Sequence, residues 1–204
     1  MLAISRSGDL LNSLSQASRH NNIDILEGDI VLLTKEAETL SRELSGRFRR
    51  IDILINNAGI VIPKPFRELS DIENELVIET NFVSPMRLIR IILPLLRRGS
   101  HVVNIGSMGG VQGSAKYPGL SVYSSAKAAL SVLTESLASE FNGTGIHFNC
   151  LSLGSVQTEM LETAFPGYKA PIGAGEMAGF VSWFALNGQK FFNGKVLPVS
   201  VANP

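Results

Sequence analysis

The 204-residue sequence predicts an α/β fold, a doubly wound parallel sheet covered by helices on both sides. Three observations predict it. Strand-like and helix-like patterns alternate from the first residue onward, the order that builds a parallel sheet with crossover helices. Several strand segments are apolar on both faces, as strands covered from both sides must be. The residues that close successive strands are small and polar, which suits a sheet whose carboxyl edge receives a ligand.

Each element follows in order. "MLAIS" (1–5) reads as a short apolar strand, and in "RSGDLLNSLSQASRH" (6–20) Leu10, Leu11 and Leu14 recur at helical spacing. "IDILEGD" (23–29) is the next strand. "VLLTKEAETLSRELSGRF" (31–48) predicts one helix with an apolar stripe at Leu33, Ala37, Leu40 and Leu44. "IDILINNAG" (51–59) is a strand running into a polar turn. A long helical region covers 70–98, its second half "RLIRIILPLLRR". "HVVNIGS" (101–107) is a strand, and 121–142 a helix. "IHFNCLSLG" (146–154) is a strand ending at glycine, "AGEMAGFVSWFALNG" (174–188) a helix and "KVLPVSV" (195–201) a last strand. Repeats and low-complexity linkers are absent, so one domain over residues 1–204 is expected.

Composition narrows the function. Hydrophobic residues make up 45% and charged residues 18%, a globular balance. The 18 Lys and Arg equal the 18 Asp and Glu, so there is no basic excess to hold a nucleic acid. The single cysteine, Cys150, sits in an apolar stretch; it reads as a small buried hydrophobe, and no disulfide or cysteine zinc site is expected within the chain. No apolar run approaches the ~20 residues of a bilayer span, and the first residues lack signal-peptide regions, so a cytoplasmic protein without membrane contact is expected.

The strand ends lie at Ser5–Ser7, Gly28–Asp29, Asn56–Gly59, Asn104–Ser107 and Leu153–Val156. Any one of them could be a simple turn; five at one edge point to a cleft. The helix after "NIGS" opens with "YSSAKAAL", which puts Tyr123 and Lys127 one turn apart on one face. The pair could be an ordinary surface contact. A cation close to a phenol also favours the phenolate and lowers a reference pKa of about 10, which would let Tyr123 exchange a proton near neutrality.

With "NNAG" after the third strand, "NIGS" after the fourth and Tyr-x-x-x-Lys opening the next helix, the chain resembles the short-chain dehydrogenase/reductase family over residues 2–199. The resemblance implies a Rossmann-like fold and an NAD(P)-dependent transfer of hydride between nicotinamide and a carbonyl or alcohol of a small molecule. Tyr123 would be the acid–base and Ser107 the anchor of the substrate oxygen. Lys127 would lower the Tyr123 pKa and hold the nicotinamide ribose, and Asn81 would anchor a water relay to the lysine. Asp29 and Ile30 match the pair that meets adenine. Asn56, Ala58 and Gly59 match the turn under the adenosine ribose, and Gly154, Val156 and Thr158 the segment that holds the carboxamide. Leu153 stands where the family has proline, and "GSAKYPG" (113–119) looks like a small insertion. Within it Tyr117 is either part of the substrate mouth or an ordinary loop residue, and beyond Thr158 the residues Met160, Phe165 and Tyr168 could line the site or pack. The family also implies a homodimer or homotetramer, and no metal.

Arg6 follows the first strand with no acid at 4–7, which favours NADP, with NAD as the alternative, because guanidinium pairs with the 2′-phosphate. A glycine-rich phosphate turn should lie about 20 residues before that position, and only five residues precede Arg6. The first strand of the fold and its glycine-rich loop are therefore expected to be lacking from this sequence, as an N-terminal strand–helix unit of roughly 30 residues. Two other readings compete: a non-catalytic or truncated relative acting as a binding or scaffold protein, and a sugar-nucleotide epimerase or dehydratase, which normally carries a large further domain.

Overall fold

Strand and helix alternate as the sequence predicts in a computed structural model that describes residues 1–201. In chain order the elements are β1 (Leu2–Ser5), α1 (Gly8–Ala17), β2 (Asp24–Glu27), α2 (Ile30–Lys35), α3 (Ala37–Arg47) and β3 (Ile51–Asn56). Then come α4 (Asp71–Ile78), α5 (Ser84–Ile92), β4 (Leu96–Ser107), α6 (Ser121–Glu140) and β5 (His147–Leu153). The short β6 (Val156–Gln157), α7 (Glu159–Ala164) and β7 (Ile172–Gly173) precede α8 (Ala174–Asn187) and β8 (Lys195–Val199).

Every strand pairing is parallel, and the main sheet has the order β3-β4-β5-β8. Successive side chains leave a strand on opposite faces, and the two faces carry separate apolar clusters. On one face Val102 of β4 and Phe148 of β5 pack with Leu40 and Leu44 of α3 and Leu88, Ile89 and Ile92 of α5. On the other, Val103, Ile105 and Leu151 pack with Phe184 and Ala185 of α8. Strands covered on both sides explain why "HVVNI" and "FNCLSL" show no polar face.

β1 and β2 form a ladder of their own, and neither is hydrogen-bonded to β3. In the doubly wound order 3-2-1-4-5-6, β2 and β1 take the outer two places and β3, β4 and β5 the later three. Ile55 of β3 is 39% exposed.

Two expected boundaries move. The helix predicted over 31–48 is broken at Glu36 into α2 and α3. Thr34 Oγ1 donates to the carbonyls of Ile30 and Val31, a back-bond that bends helices. The helical region predicted to reach 98 ends earlier, and β4 begins at Leu96 rather than 101. Pro94 lacks the N–H that would continue the helix. The register between β3 and β4 is irregular just beyond, and Gly99 has φ +90°.

Candidate active site

Because the strands are parallel, their carboxyl ends share one edge, and Ser107, Tyr123 and Lys127 meet there. Ser107 closes β4, Tyr123 lies in the first turn of α6 and Lys127 one turn further on. The 3₁₀ turn Met108–Gly110 seats α6 against the end of β4. A Cβ at Gly110 would come within 2.8 Å of the Ala128 backbone nitrogen, so only glycine permits this approach. Ser107 Oγ accepts from the Gly109 N–H at 3.2 Å and is hydrogen-bonded to the Tyr123 side chain. Lys127 is buried, donates from Nζ to the Ile105 carbonyl at 2.9 Å, and has Nζ 5.8 Å from the centre of the Tyr123 ring.

The electrostatics differ from the sequence expectation. Burial pushes the Tyr123 phenol above its usual pKa, with the Ser107 hydrogen bond opposing. The Lys127 ammonium donates to the Ile105 carbonyl and lies 5.8 Å from the ring centre, and burial lowers the pKa of Lys127 itself to about 8. Cys150 lies nearby as a buried free thiol, pushed up by its burial and therefore uncharged.

Asn81 occupies a π-turn over Glu79–Val83 between α4 and α5. Its Nδ2 donates to the carbonyls of Ile60 and Val77, both at 2.8 Å, and its Oδ1 accepts from the Ile60 N–H at 3.2 Å. The extra residue of a π-turn thus ties the helix to the segment after β3. Gly59 fits between: a Cβ there would lie 2.9 Å from Asn81 Oδ1 and 3.6 Å from Lys127 Nζ.

The expected cofactor residues divide. Gly59, Gly154, Val156 and Thr158 line the same cavity as Ser107, Tyr123 and Lys127. The Thr158 hydroxyl caps α7, accepting from the Leu161 N–H at 3.2 Å. Leu153 holds its register between Ser107 and Val199 despite replacing proline. Asn56 departs from its expected place: buried, it donates to Asn104 Oδ1 at 2.8 Å and braces β3 against β4, while its neighbour Asn57 lines the cavity. Ala58 is exposed in the same turn but does not line it. Asp29 caps α2 by accepting from the Val31 N–H at 2.8 Å, and its other oxygen is 3.8 Å from Arg6 Nη1. Ile30 leans into the apolar cluster instead of standing free at the edge. Arg6, Asp29 and Ile30 all lie outside the cavity.

The cavity measures about 570 Å³, within the range of small-molecule sites. Met160 and Phe165 line it, and Tyr168 does not. Sequence reasoning missed Ser124 and Ser155. Ser155 is buried, and its hydroxyl finds no hydrogen-bond partner among the described residues. Only its position next to Gly154 at a strand end could have signalled it.

Residues 1–169 match the family described as short chain dehydrogenase. The chain belongs to that family. It is accordingly an NAD(P)-dependent oxidoreductase. It is 30% identical over 175 residues to the 3-oxoacyl-[acyl-carrier-protein] reductase FabG of Salmonella typhimurium, an alignment covering 80% of this chain and 70% of that one. A fatty acyl-CoA reductase of Mycobacterium tuberculosis is 33% identical over 168 residues, covering 79% of this chain and 56% of the relative. Among solved structures, a dehydrogenase/reductase from Sinorhizobium meliloti superposes with a TM-score of 0.80 at 27% identity, covering 97% of this chain and 82% of that one. A Serratia marcescens short-chain dehydrogenase/reductase variant gives a TM-score of 0.84 at 21% identity, with 97% and 84% covered, and shares the fold.

The residues present fit the nicotinamide half of the family's dinucleotide. Gly106, Gly109 and Gly154 line the cavity, as does Ser155, whose buried hydroxyl has no hydrogen-bond partner among the described residues.

Proposed function

We propose that this oxidoreductase interconverts a carbonyl and an alcohol on a small substrate, with Tyr123 as acid–base and NADP(H) as the preferred dinucleotide. The observation that carries the reading is the hydrogen-bonded Ser107–Tyr123 pair with Lys127 beneath it, on one wall of one cavity. The dinucleotide supplies the hydride. The chain holds the substrate oxygen between the Ser107 and Tyr123 hydroxyls, and in reduction the Tyr123 proton passes to that oxygen. A phenol pushed up by burial is fully protonated at neutral pH, the state reduction needs. The Lys127 ammonium then stabilises the phenolate left behind. Asn81 is a positioning residue, fixing the segment on which Gly59 lies.

The NADP preference rests on Arg6, whose exposed guanidinium follows β1 directly and suits a phosphate. Exposed Trp183, Leu186 and Phe191 favour a dimer or tetramer.

Replacing Tyr123 with Phe removes the proton donor and keeps the ring. We expect kcat for carbonyl reduction to fall by roughly 10²–10⁴; full turnover by the variant would refute the assignment. The second reading is a non-catalytic binding protein of the same fold, in which β1 and β2 form a ladder separate from the main sheet. Calorimetric titration of the purified protein with NADPH separates the two, since failure to bind favours the second.

A further inference from the structure

The cavity is roofed by a segment with an unusual attachment. Residues 158–171 leave and rejoin the body through a two-residue parallel ladder, Val156 against Ile172 and Gln157 against Gly173. Gln157 Oε1 adds a bond from the Ala170 N–H at 2.9 Å. These contacts hold the base of the roof. Its far side meets the 108–120 loop through Tyr117 and Phe165, whose rings stand edge to face, 5.0 Å between centroids and 80° between planes. Both rings also line the cavity, and both are only half-buried. An edge-to-face pair left partly open presents ring faces to whatever enters.

The rest of the wall has a consistent chemistry. Leu120, Leu153, Met160, Leu161 and Ala164 line the same cavity as the aromatic pair. Among the described lining residues the one charged group is Lys127, and its ammonium is committed to the Ile105 carbonyl. Beyond Lys127 the described wall offers no cation to a carboxylate or phosphate on the substrate's arm, and burying such a group unpaired is costly.

We propose that Tyr117 and Phe165 form an aromatic clasp that selects uncharged ketones or secondary alcohols bearing an apolar arm, with the arm seated against the two rings. This rests on the carbonyl–alcohol reading above, and it adds the substrate's arm and the residues that choose it. The selection works through binding: the arm is held equally in the ground and transition states, so its loss raises KM more than it lowers kcat.

The test separates binding from turnover. Calorimetry with 2-octanol, and with 7-hydroxyoctanoate as the carboxylated control, is run on the parent protein and on Tyr117→Ala, Tyr117→Phe, Phe165→Ala and Phe165→Leu. The expected result is that 2-octanol binds at least tenfold more tightly than the control, that each alanine variant weakens it about tenfold, and that Tyr117→Phe restores it. Phe165→Leu, which keeps apolar volume and loses the ring, gives an intermediate value and serves if the alanine variant does not fold. Kinetically, the ratio of kcat/KM for 2-octanone over 2-butanone should fall in both alanine variants. Equal binding of the two alcohols, no binding of 2-octanol, or indifference of that binding to Tyr117→Ala would overturn the clasp. A Tyr123→Phe variant that keeps turnover would instead overturn the reaction assignment and leave the calorimetric result standing.

Discussion

Lys127 shows how one residue's burial sets a pH dependence. Its ammonium sits under the site in contact with a single carbonyl, and burial lowers its pKa to about 8. Below that value the lysine is charged and can stabilise the Tyr123 phenolate; above it the charge is lost. Carbonyl reduction should therefore fall as pH rises through about 8. Lys127→Met should be slower at neutral pH and lose this descending limb, and a pH–rate profile that is flat from 7 to 9 in the parent would contradict the role. Arg6 carries a second prediction. Its contact with Asp29 is exposed and 3.8 Å long, too weak to hold it from a better partner. Arg6→Ala should raise KM for NADPH by roughly ten- to hundredfold, the worth of charge-assisted hydrogen bonds, and leave NADH little changed. Equal loss with both dinucleotides would show that the guanidinium does not read the 2′-phosphate.

Between elements, the site is braced by a buried polar chain. Asn56 of β3 donates to Asn104 of β4, Asn104 donates to Thr134 of α6 at 2.9 Å, and Thr134 donates to the Leu130 carbonyl at 2.8 Å. Asn104 and Thr134 are fully buried. The chain fixes the helix that carries Tyr123 and Lys127 relative to the two strands below it. Asn104→Ala would leave the Asn56 amide without its acceptor, at a cost of about 1–3 kcal/mol, more if the cavity stays open. Urea denaturation reads this, and a loss under 0.5 kcal/mol would mean that water repairs the chain. This brace also shows where sequence reading stops. Asn56 and Asn104 were visible as strand-end asparagines, yet whether each faced the ligand or the sheet depended on the pairing of β3 with β4. Ser107, Tyr123 and Lys127 were legible because one strand end and one helical turn suffice to bring them together. The break at Glu36 and the early end of the helical region were set by Thr34 and Pro94, residues whose local effect an apolar stripe does not display. The π-turn at Asn81 left no periodic signal either, since one inserted residue shifts the phase of too short a run. The fall of the Lys127 pKa came from three-dimensional burial, which the Tyr-x-x-x-Lys spacing does not contain.

At the scale of the molecule, the sheet's division governs where stability resides. β4 and β5 lie inside the four-stranded sheet, with apolar clusters on both faces and most of their residues buried. β1 and β2 hold only each other as a ladder, and none of their eight residues is fully buried. Two paired strands are marginal in water on their own. What keeps this ladder in place is side-chain packing: Leu2 and Leu26 reach the cluster built on α3 and α5, and Ile30 and Leu33 extend that contact from α2. Such packing can loosen without disturbing the β3-β4-β5-β8 ladder, so opening of β1 and β2 should be a local event of lower free energy than global unfolding. Amide hydrogen exchange at neutral pH should show residues 2–5 and 24–27 exchanging well before residues 102–106 and 148–152, with denaturant sensitivity near zero for the first group and near the global value for the second. Since Arg6 and Asp29 follow β1 and β2 directly, a ligand bound there should slow exchange in the first group selectively. Exchange of both groups at one rate, with one denaturant dependence, would mean that the two ladders unfold together.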